Sequence, residues 1–173
     1  MTGRAPVGVL TTQVVGVADD KYYAAVRHVV EAARNCLFAS VFIVDINAHD
    51  DPDAKIVKLL RLLRDTAWRG VDVRLLIGSS RRNIAIGEAC HIAWTLAKRL
   101  NVDCRIIASE DNPGSHLKVV MNESSVLTGS HNWSLGAVAG RQVQDSVLVH
   151  STALASYLHK NFLNQWSLAS SGE

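Results

Sequence analysis

Two short runs of this 173-residue sequence carry side chains suited to reaction at a phosphate. His116 and Lys118 stand two residues apart, and Gly129, Ser130 and Asn132 follow after a short interval. A neutral imidazole can attack phosphorus, while an ammonium, a hydroxyl and an amide can hold the oxygens whose negative charge grows during attack. Each run alone is common in ordinary turns, but the two together at this separation predict a phosphate-handling site.

The sequence between the two runs favours a β-hairpin that brings them together. Residues 116–121 and 126–128 have the pattern of two short strands around a polar turn. The hairpin returns the chain, so Gly129 is expected near His116. Because glycine has no side chain, Gly129 is also expected to let the backbone approach a ligand closely.

Alternation along the first hairpin strand predicts which side chains are available. Alternate residues of a strand share a face, so His116 and Lys118 are expected to point the same way, roughly 6–7 Å apart. Leu117, Val119 and Met121 form the opposite, wholly apolar set and are expected to face the core. The imidazole and the ammonium are therefore predicted on an open face, where one phosphate could touch both.

Apolar residues elsewhere recur with strand and helix periods in alternating order. Further strands are predicted at residues 14–17, 37–46, 71–77, 102–108 and 145–150, and helices at 19–35, from 51 up to 70, at 84–100 and at 153–168. This order predicts an α/β fold, with a mixed β-sheet flanked by helices, in one domain over residues 1–173. Residues 169–173 are expected to form a frayed tail.

Composition narrows the class of protein without naming a partner. Eighteen basic and sixteen acidic residues give a net charge of only +2, so nucleic-acid binding has to be argued from local placement of charge. The cysteines are three, with no close-spaced pair, and are expected to be reduced. The sequence has neither an apolar signal core nor an apolar run of roughly 18 residues, so we expect no membrane span and a cytoplasmic location.

The two runs resemble the motif of the phospholipase D superfamily, H-x-K-x4-D-x6-G-S-x-N. This chain has H-L-K-V-V-M-N-E-S-S-V-L-T-G-S-H-N, and its α/β order and length are similar to those of the small bacterial nuclease branch, which carries one motif per chain. The resemblance implies that His116 is the nucleophile and that Lys118, Ser130 and Asn132 bind and polarise the phosphate. It also implies that the reaction needs no metal and no other cofactor.

Two acidic positions of the superfamily differ in this chain. The motif aspartate falls on Asn122 or on Glu123, depending on where one residue is missing, and that position lies at the hairpin turn. In the nuclease branch a later glutamate orients the histidine, and Asp145 stands where that glutamate would be. A carboxylate bonded to an imidazole fixes its tautomer and stabilises its cation. The alternative for Asp145 is an ordinary polar residue at a strand start.

A single motif in the chain implies a homodimer. Phosphodiester cleavage needs a nucleophile and an acid for the leaving oxygen, and one imidazole cannot fill both roles at once. The superfamily solves this with two motifs across a pseudo-twofold axis. A C2 homodimer of this chain would bring two copies of His116 to one phosphate.

Several other residues are candidates for substrate contact. Arg81 and Arg82 follow a predicted strand at the end where α/β proteins bind ligands, and the alternative is a solvated basic turn. His131 occupies the variable place of the second run and is expected to line the cleft. Trp133 is expected to pack beneath the motif, with stacking on a base as the alternative.

These observations lead to one principal hypothesis and two alternatives. The principal hypothesis is a metal-independent phosphodiesterase, an endonuclease that cleaves nucleic acid, DNA rather than RNA, through a covalent phosphohistidine. The first alternative is a non-cleaving nucleic-acid-binding module that keeps the phosphate cradle. The second alternative is a phospholipid hydrolase or transferase.

Overall fold

A computed structural model describes residues 12–46, 54–111 and 114–171 of the chain. The strands are β1 Gln13–Ala18, β2 Cys36–Val41, β3 Asp72–Ser79, β4 Asp103–Ala108, β5 Lys118–Asn122, β6 Ser125–Gly129 and β7 Asp145–His150. The helices are α1 Tyr22–Ala32, α2 Lys55–Trp68, α3 Ile84–Arg99, α4 Leu135–Val138 and α5 Thr152–Leu168, and a 3-10 turn over Asp19–Lys21 precedes α1.

The strands form a mixed sheet in the order β1-β7-β6-β5-β2-β3-β4. β2, β3 and β4 are parallel, and α2 and α3 make the crossovers that parallel neighbours require. The other neighbouring pairs are antiparallel, and β5 and β6 form the predicted hairpin. This arrangement confirms the predicted α/β fold with a mixed sheet flanked by helices.

Helices α1, α2 and α3 cover one face of the sheet. Val26, Leu60 and Ala93, one from each helix, are fully buried or nearly so, as are Ala39 of β2 and Val120 of β5 in the same core. The apolar residues of these helices recur at three and four positions, which places them on one stripe. Burial of that stripe against the sheet stabilises the packing of the helices.

Helix α5 covers part of the opposite face. Phe162 and Trp166 pack there with Phe38 of β2, Met121 of β5 and Val126 of β6. β2 and β5 are therefore covered on both faces, which explains why their sequences are apolar at successive positions.

The structure corrects the expectation for the strand that holds the motif. β5 begins at Lys118, so His116 precedes the strand rather than forming part of it. Lys118 and Val120 share a face, but Val120 is fully buried under the helices, so this face is not open. Leu117, expected in the core, is 40% exposed. Lys118 is accessible because it stands at the end of the strand.

Other boundaries differ where the chain leaves the sheet ladder. The strand predicted over residues 37–46 ends at Val41, and the helix start predicted at residues 51–53 lies outside the described residues. Ser170, expected in a frayed tail, exchanges two backbone hydrogen bonds of 3.0 Å with Ile106. In the described ranges, no helix has both the length and the apolar character needed to cross a membrane.

Asn122 connects the hairpin turn to α1. Its buried side chain donates from Nδ2 to the Val29 carbonyl oxygen at 2.9 Å. Its Oδ1 accepts from the backbone amides of Ser124 at 2.9 Å and Ser125 at 2.8 Å. One amide thus satisfies three backbone groups of two elements that are distant in sequence.

We predict that Asn122→Ala lowers the free energy of unfolding by about 2–3 kcal/mol, because the Val29 and Ser125 groups lose their partner where water cannot replace it. Urea unfolding measures the change. Ser124→Ala is the matched control; it removes only the hydrogen bond of 3.2 Å from the exposed Ser124 Oγ to Asn122 Oδ1, so it should cost under about 1 kcal/mol. Equal losses in the two variants would contradict the assignment.

Candidate active site

The two parts of the motif and Asp145 meet at one end of the sheet. Lys118 at the start of β5 pairs with Val41 at the end of β2. Gly129 at the end of β6 pairs with Ser146 near the start of β7. Because antiparallel neighbours begin where their partners end, these positions come together; we call this end of the sheet the site end.

His116 and Lys118 contact each other directly at the site end. Lys118 Nζ lies 3.2 Å from His116 Nδ1 and 3.1 Å from the His116 carbonyl oxygen. The His116 ring packs on Phe42 with ring centroids 4.1 Å apart, and the Lys118 ammonium lies 5.2 Å from the centroid of Phe42. His116 is exposed, so a phosphate can reach the imidazole from solvent.

The surroundings favour the neutral form of the imidazole. Partial burial lowers the pKa of His116 below its ordinary value, and the positive charge of Lys118 lowers that pKa further. Partial burial also lowers the pKa of Lys118. A neutral imidazole next to a cation is the combination that nucleophilic attack on an anionic phosphate requires.

Two contacts beneath the pair fix the position of the imidazole. Phe42 packs closely on Gly78 of β3, where a Cβ would lie 2.7 Å from the Phe42 Cα. Ser115 is buried, and its Oγ lies 3.4 Å from Ser40 Oγ. The sequence analysis missed Phe42 as part of the site, because it fell inside the buried strand predicted over residues 37–46. The one feature of the sequence that could have indicated a role for Phe42 is its position directly after the apolar run that forms β2.

Backbone pairing holds the second motif run beside Phe42. Trp133 is fully buried, its N–H donates to Ile43 O at 3.0 Å, and its carbonyl oxygen accepts from Asp45 N at 2.8 Å. Asn132 Oδ1 accepts from Ile43 N at 3.1 Å. The Asn132 Nδ2 group makes no hydrogen bond within the described residues, so it is available as a donor. Trp133 packs beneath the motif, as expected.

Ser130 is joined to the backbone of Asp145. Its N–H donates to Asp145 O at 2.9 Å, and its Oγ both donates to Asp145 O at 3.2 Å and accepts from Asp145 N at 3.1 Å. Gly129 is required for this approach, since a Cβ there would overlap Asp145 O and Ser146 Oγ. The close neighbour that explains Gly129 is therefore β7, whereas the sequence analysis expected a ligand.

The predicted contact between Asp145 and His116 is not present in the structure. The Nδ1 atom of His116 faces Lys118, while the exposed Asp145 uses its backbone groups to hold Ser130. Asp145 thus lies at the site end, as predicted from its position, but its carboxylate does not bond to the imidazole.

His131 is buried, and the expectation that it lines the cleft is wrong. Its ring stacks on Tyr22 with centroids 4.1 Å apart, and its Nδ1 lies 2.8 Å from Ser146 Oγ. Burial lowers the pKa of His131, although the charges of Asp19 and Asp145 oppose the shift. Its neighbours Ser130 and Asn132 are exposed and half-buried, respectively, while His131 points into the protein.

Arg81 and Arg82 both lie in the loop after β3 with exposed side chains, and they differ in their partners. Arg81 forms an ion pair with Asp111, and the Glu110 carboxylate accepts from both backbone amides of the loop, at 3.1 Å and 3.3 Å. A hydrogen bond from Ser80, with those amides, lowers the pKa of Glu110 to about 2. Arg82 is exposed and has no ion pair within the described residues.

Both positions onto which the motif aspartate falls hold the fold together. Asn122 makes the hydrogen bonds to α1 and to the hairpin turn. Glu123 accepts from the backbone amides of Arg34 at 3.0 Å and Asn35 at 3.4 Å, just after α1. Partial burial opposes ionisation of Glu123, but hydrogen bonds from backbone amides prevail and lower its pKa. Neither side chain approaches the site end.

The sequence of the chain matches the model of one known family. A family described as "Cardiolipin synthase, PLD-like domain" matches residues 26–166. The chain belongs to this phospholipase D-like family, and with it to a superfamily of phosphodiesterases. A comparison with curated proteins gives no match.

Solved structures show the same fold in distant relatives. Nuc, a phospholipase D family member from Salmonella typhimurium, matches with a TM-score of 0.73 and 18% identity, covering 92% of this chain and 97% of that chain. NucT from Helicobacter pylori has a TM-score of 0.65 and 12% identity over 91% and 98% of the two chains. A phosphatidylserine synthase from Haemophilus influenzae has a TM-score of 0.62 and 12% identity, over 90% of this chain but 39% of that one.

We predict that Lys118→Met raises the pKa of His116. In wild type, the Lys118 charge and its hydrogen bond to Nδ1 both favour the neutral ring. The substitution removes both, so protonation of His116 becomes easier. Titration of the His116 ring Cε1–H signal by NMR measures the shift. Lys98→Met, at the far end of α3, should leave the His116 pKa unchanged. A His116 pKa that stays the same or falls in Lys118→Met would contradict this electrostatic coupling.

Proposed function

We propose that this protein is a metal-independent phosphodiesterase that cleaves nucleic acid, DNA in preference to RNA, at a site shared by two copies of the chain. The observation that carries the proposal is the 3.2 Å contact of His116 with Lys118 at an accessible end of the sheet. Asn132 adds an amide donor beside the same Phe42 segment. These groups supply a nucleophile and positive or polar contacts for phosphate oxygens.

The first step needs a change at the His116–Lys118 contact. An ammonium group only donates, so Nδ1 of neutral His116 accepts from Lys118 and the ring proton lies on Nε2. When substrate binds, the Lys118 ammonium donates to a phosphate oxygen instead of to His116 Nδ1. The ring proton can then move from Nε2 to Nδ1, and we propose the Asp145 carboxylate as the acceptor for that N–H. Nε2 then holds the lone pair that attacks phosphorus.

The remaining steps need a second imidazole. As the bond between phosphorus and Nε2 forms, the bond to the leaving oxygen breaks, and that oxygen takes a proton from His116 of the partner subunit, which enters this step as the imidazolium. Water then attacks phosphorus and gives its proton to the same, now neutral, imidazole. The phosphorus–nitrogen bond breaks, and both rings return to their starting protonation. Arg82 is the proposed contact for a neighbouring phosphate.

Phospholipid is the second candidate substrate. The description of the matching family names cardiolipin synthase, and one solved structure of the same fold is a phosphatidylserine synthase. The third possibility, a module that binds without cleaving, follows from the structural use of Asn122 and Glu123 in place of the motif aspartate. One digestion panel separates the three.

We predict that the protein cleaves DNA in excess EDTA and that His116→Ala lowers kcat at least about a thousandfold, because the substitution removes the imidazole that would form the covalent intermediate. The panel contains DNA, RNA and phosphatidylglycerol vesicles. His91→Ala is the matched control, since it removes an exposed imidazole from α3. Intact DNA with salt-sensitive binding would favour the binding module, and turnover of lipid alone would favour the phospholipid enzyme.

We predict that the activity of mixed dimers follows the square of the wild-type fraction. When wild-type chains exchange subunits with an equal amount of His116→Ala, about one quarter of the dimers keep both imidazoles, so total activity should fall to about a quarter of that of the same total amount of wild type. A site complete within each chain would retain about half. Equal mixing with His91→Ala should leave activity unchanged.

A further inference from the structure

We propose that a groove next to the site end, on the α5 side of the sheet, binds the nucleobase beside the phosphate that is cleaved; this inference rests on the proposed function. The groove lies between the β5–β6 hairpin and α5 and has a volume of about 360 Å³. That volume falls in the range of roughly 300–1,000 Å³ that is typical of small-ligand sites.

The groove is continuous in the chain with the candidate catalytic pair. Leu117, which stands between His116 and Lys118, forms one end of the groove and is 40% exposed. A phosphodiester held by His116 and Lys118 therefore has its flanking nucleotide next to Leu117. Phosphate contacts position a strand, while its bases need apolar surfaces and hydrogen-bonding groups close by.

The floor of the groove suits the flat face of a base. Leu117, just before β5, is the exposed apolar residue, while Met121 of β5 and Phe162 of α5 lie buried beneath it, and Phe162 packs against Phe38 and Trp166. Apolar and aromatic side chains bind any base through its face, with little dependence on its identity. None of the residues lining the groove is charged, so the groove complements a neutral base and not a second phosphate.

The rim of the groove suits the edge of a base. Asn161, Asn164 and Gln165 present three carboxamides from one side of α5. Carboxamides pair with the donor and acceptor groups on base edges. The Gln165 Oε1 atom is buried and has no hydrogen-bond partner within the described residues, so a turn of this side chain toward a base amino group would satisfy it. An acyl chain would leave these amides unpaired, so the observations favour a base over a lipid tail.

The test compares two single-stranded DNA oligonucleotides that differ only in their bases. One is normal, and the other carries abasic residues throughout, so both present the same phosphates. We expect wild type to show a KM at least about fivefold higher for the abasic strand, the loss of roughly one hydrogen-bonded contact. Asn161→Ala/Asn164→Ala should raise KM for the normal strand by a similar factor and leave the abasic strand unchanged. Ser156→Ala, also exposed on α5, is the control.

Binding to His116→Ala, measured by fluorescence anisotropy, separates the two proposals. Cleavage with the same KM for both strands would overturn the base subsite and leave the proposed function intact. If wild type cleaves neither strand, and His116→Ala binds normal DNA at least about fivefold more tightly than abasic DNA, the proposed function is overturned and the subsite is supported. Equal binding of the two strands would overturn the subsite.

Two further outcomes identify other occupants of the groove. Dissociation of the Asn161→Ala/Asn164→Ala dimer in light scattering, with the base dependence of KM unchanged, would make the groove a contact between subunits and overturn the proposal. Phosphatidylglycerol vesicles that bind wild type but not this variant, while the affinity for DNA is unchanged, would make it a lipid site and overturn the proposal.

Discussion

The arrangement of the site end depends on the backbone pairing between the segment after β2 and Trp133. β2 ends at Val41, and the chain would then expose backbone groups at the edge of the core. The Trp133 N–H donates to the Ile43 carbonyl oxygen, and the Trp133 carbonyl oxygen accepts from the Asp45 amide. Asn132 Oδ1 accepts from the Ile43 amide. Buried backbone groups that lose such partners cost about 1–3 kcal/mol each. The pairing that satisfies the backbone therefore also places Asn132 beside the segment of Phe42, on which the His116 ring packs.

Phe42 gives this constraint its chemical consequence. Its ring supports His116 on one side and lies near the Lys118 ammonium, so a cation and a neutral base share one apolar surface. Loss of water around both groups favours their uncharged forms, and the ammonium adds to the effect on the imidazole. An incoming phosphate would reverse this balance for Lys118, because an anion at the ammonium favours the charged form.

The sequence predicted the fold and the location of the site better than it predicted which side chains are accessible. Alternating periods identified the strands and helices, and the H-x-K and G-S-x-N runs identified residues that the hairpin brings to one end of the sheet. The start of β5 was misplaced because periodicity does not show where a strand leaves its ladder. His131 was expected in the cleft, and Gly129 was assigned to ligand approach, because spacing along a turn does not reveal that Tyr22 and β7 pack against it.

Contacts with α1 also explain the residue at Asn122, one of the two positions onto which the motif aspartate falls. Nδ2 of Asn122 donates to the Val29 carbonyl oxygen, and a carboxylate cannot donate. An aspartate at this buried point would set an anion against a carbonyl oxygen and separate the hairpin from α1. The amide therefore suits the packing of α1 on β5, and Glu123 is held by backbone amides after α1. Since neither residue reaches the site end, their identities constrain the position of His116 through the hairpin and leave its proton transfers to other groups.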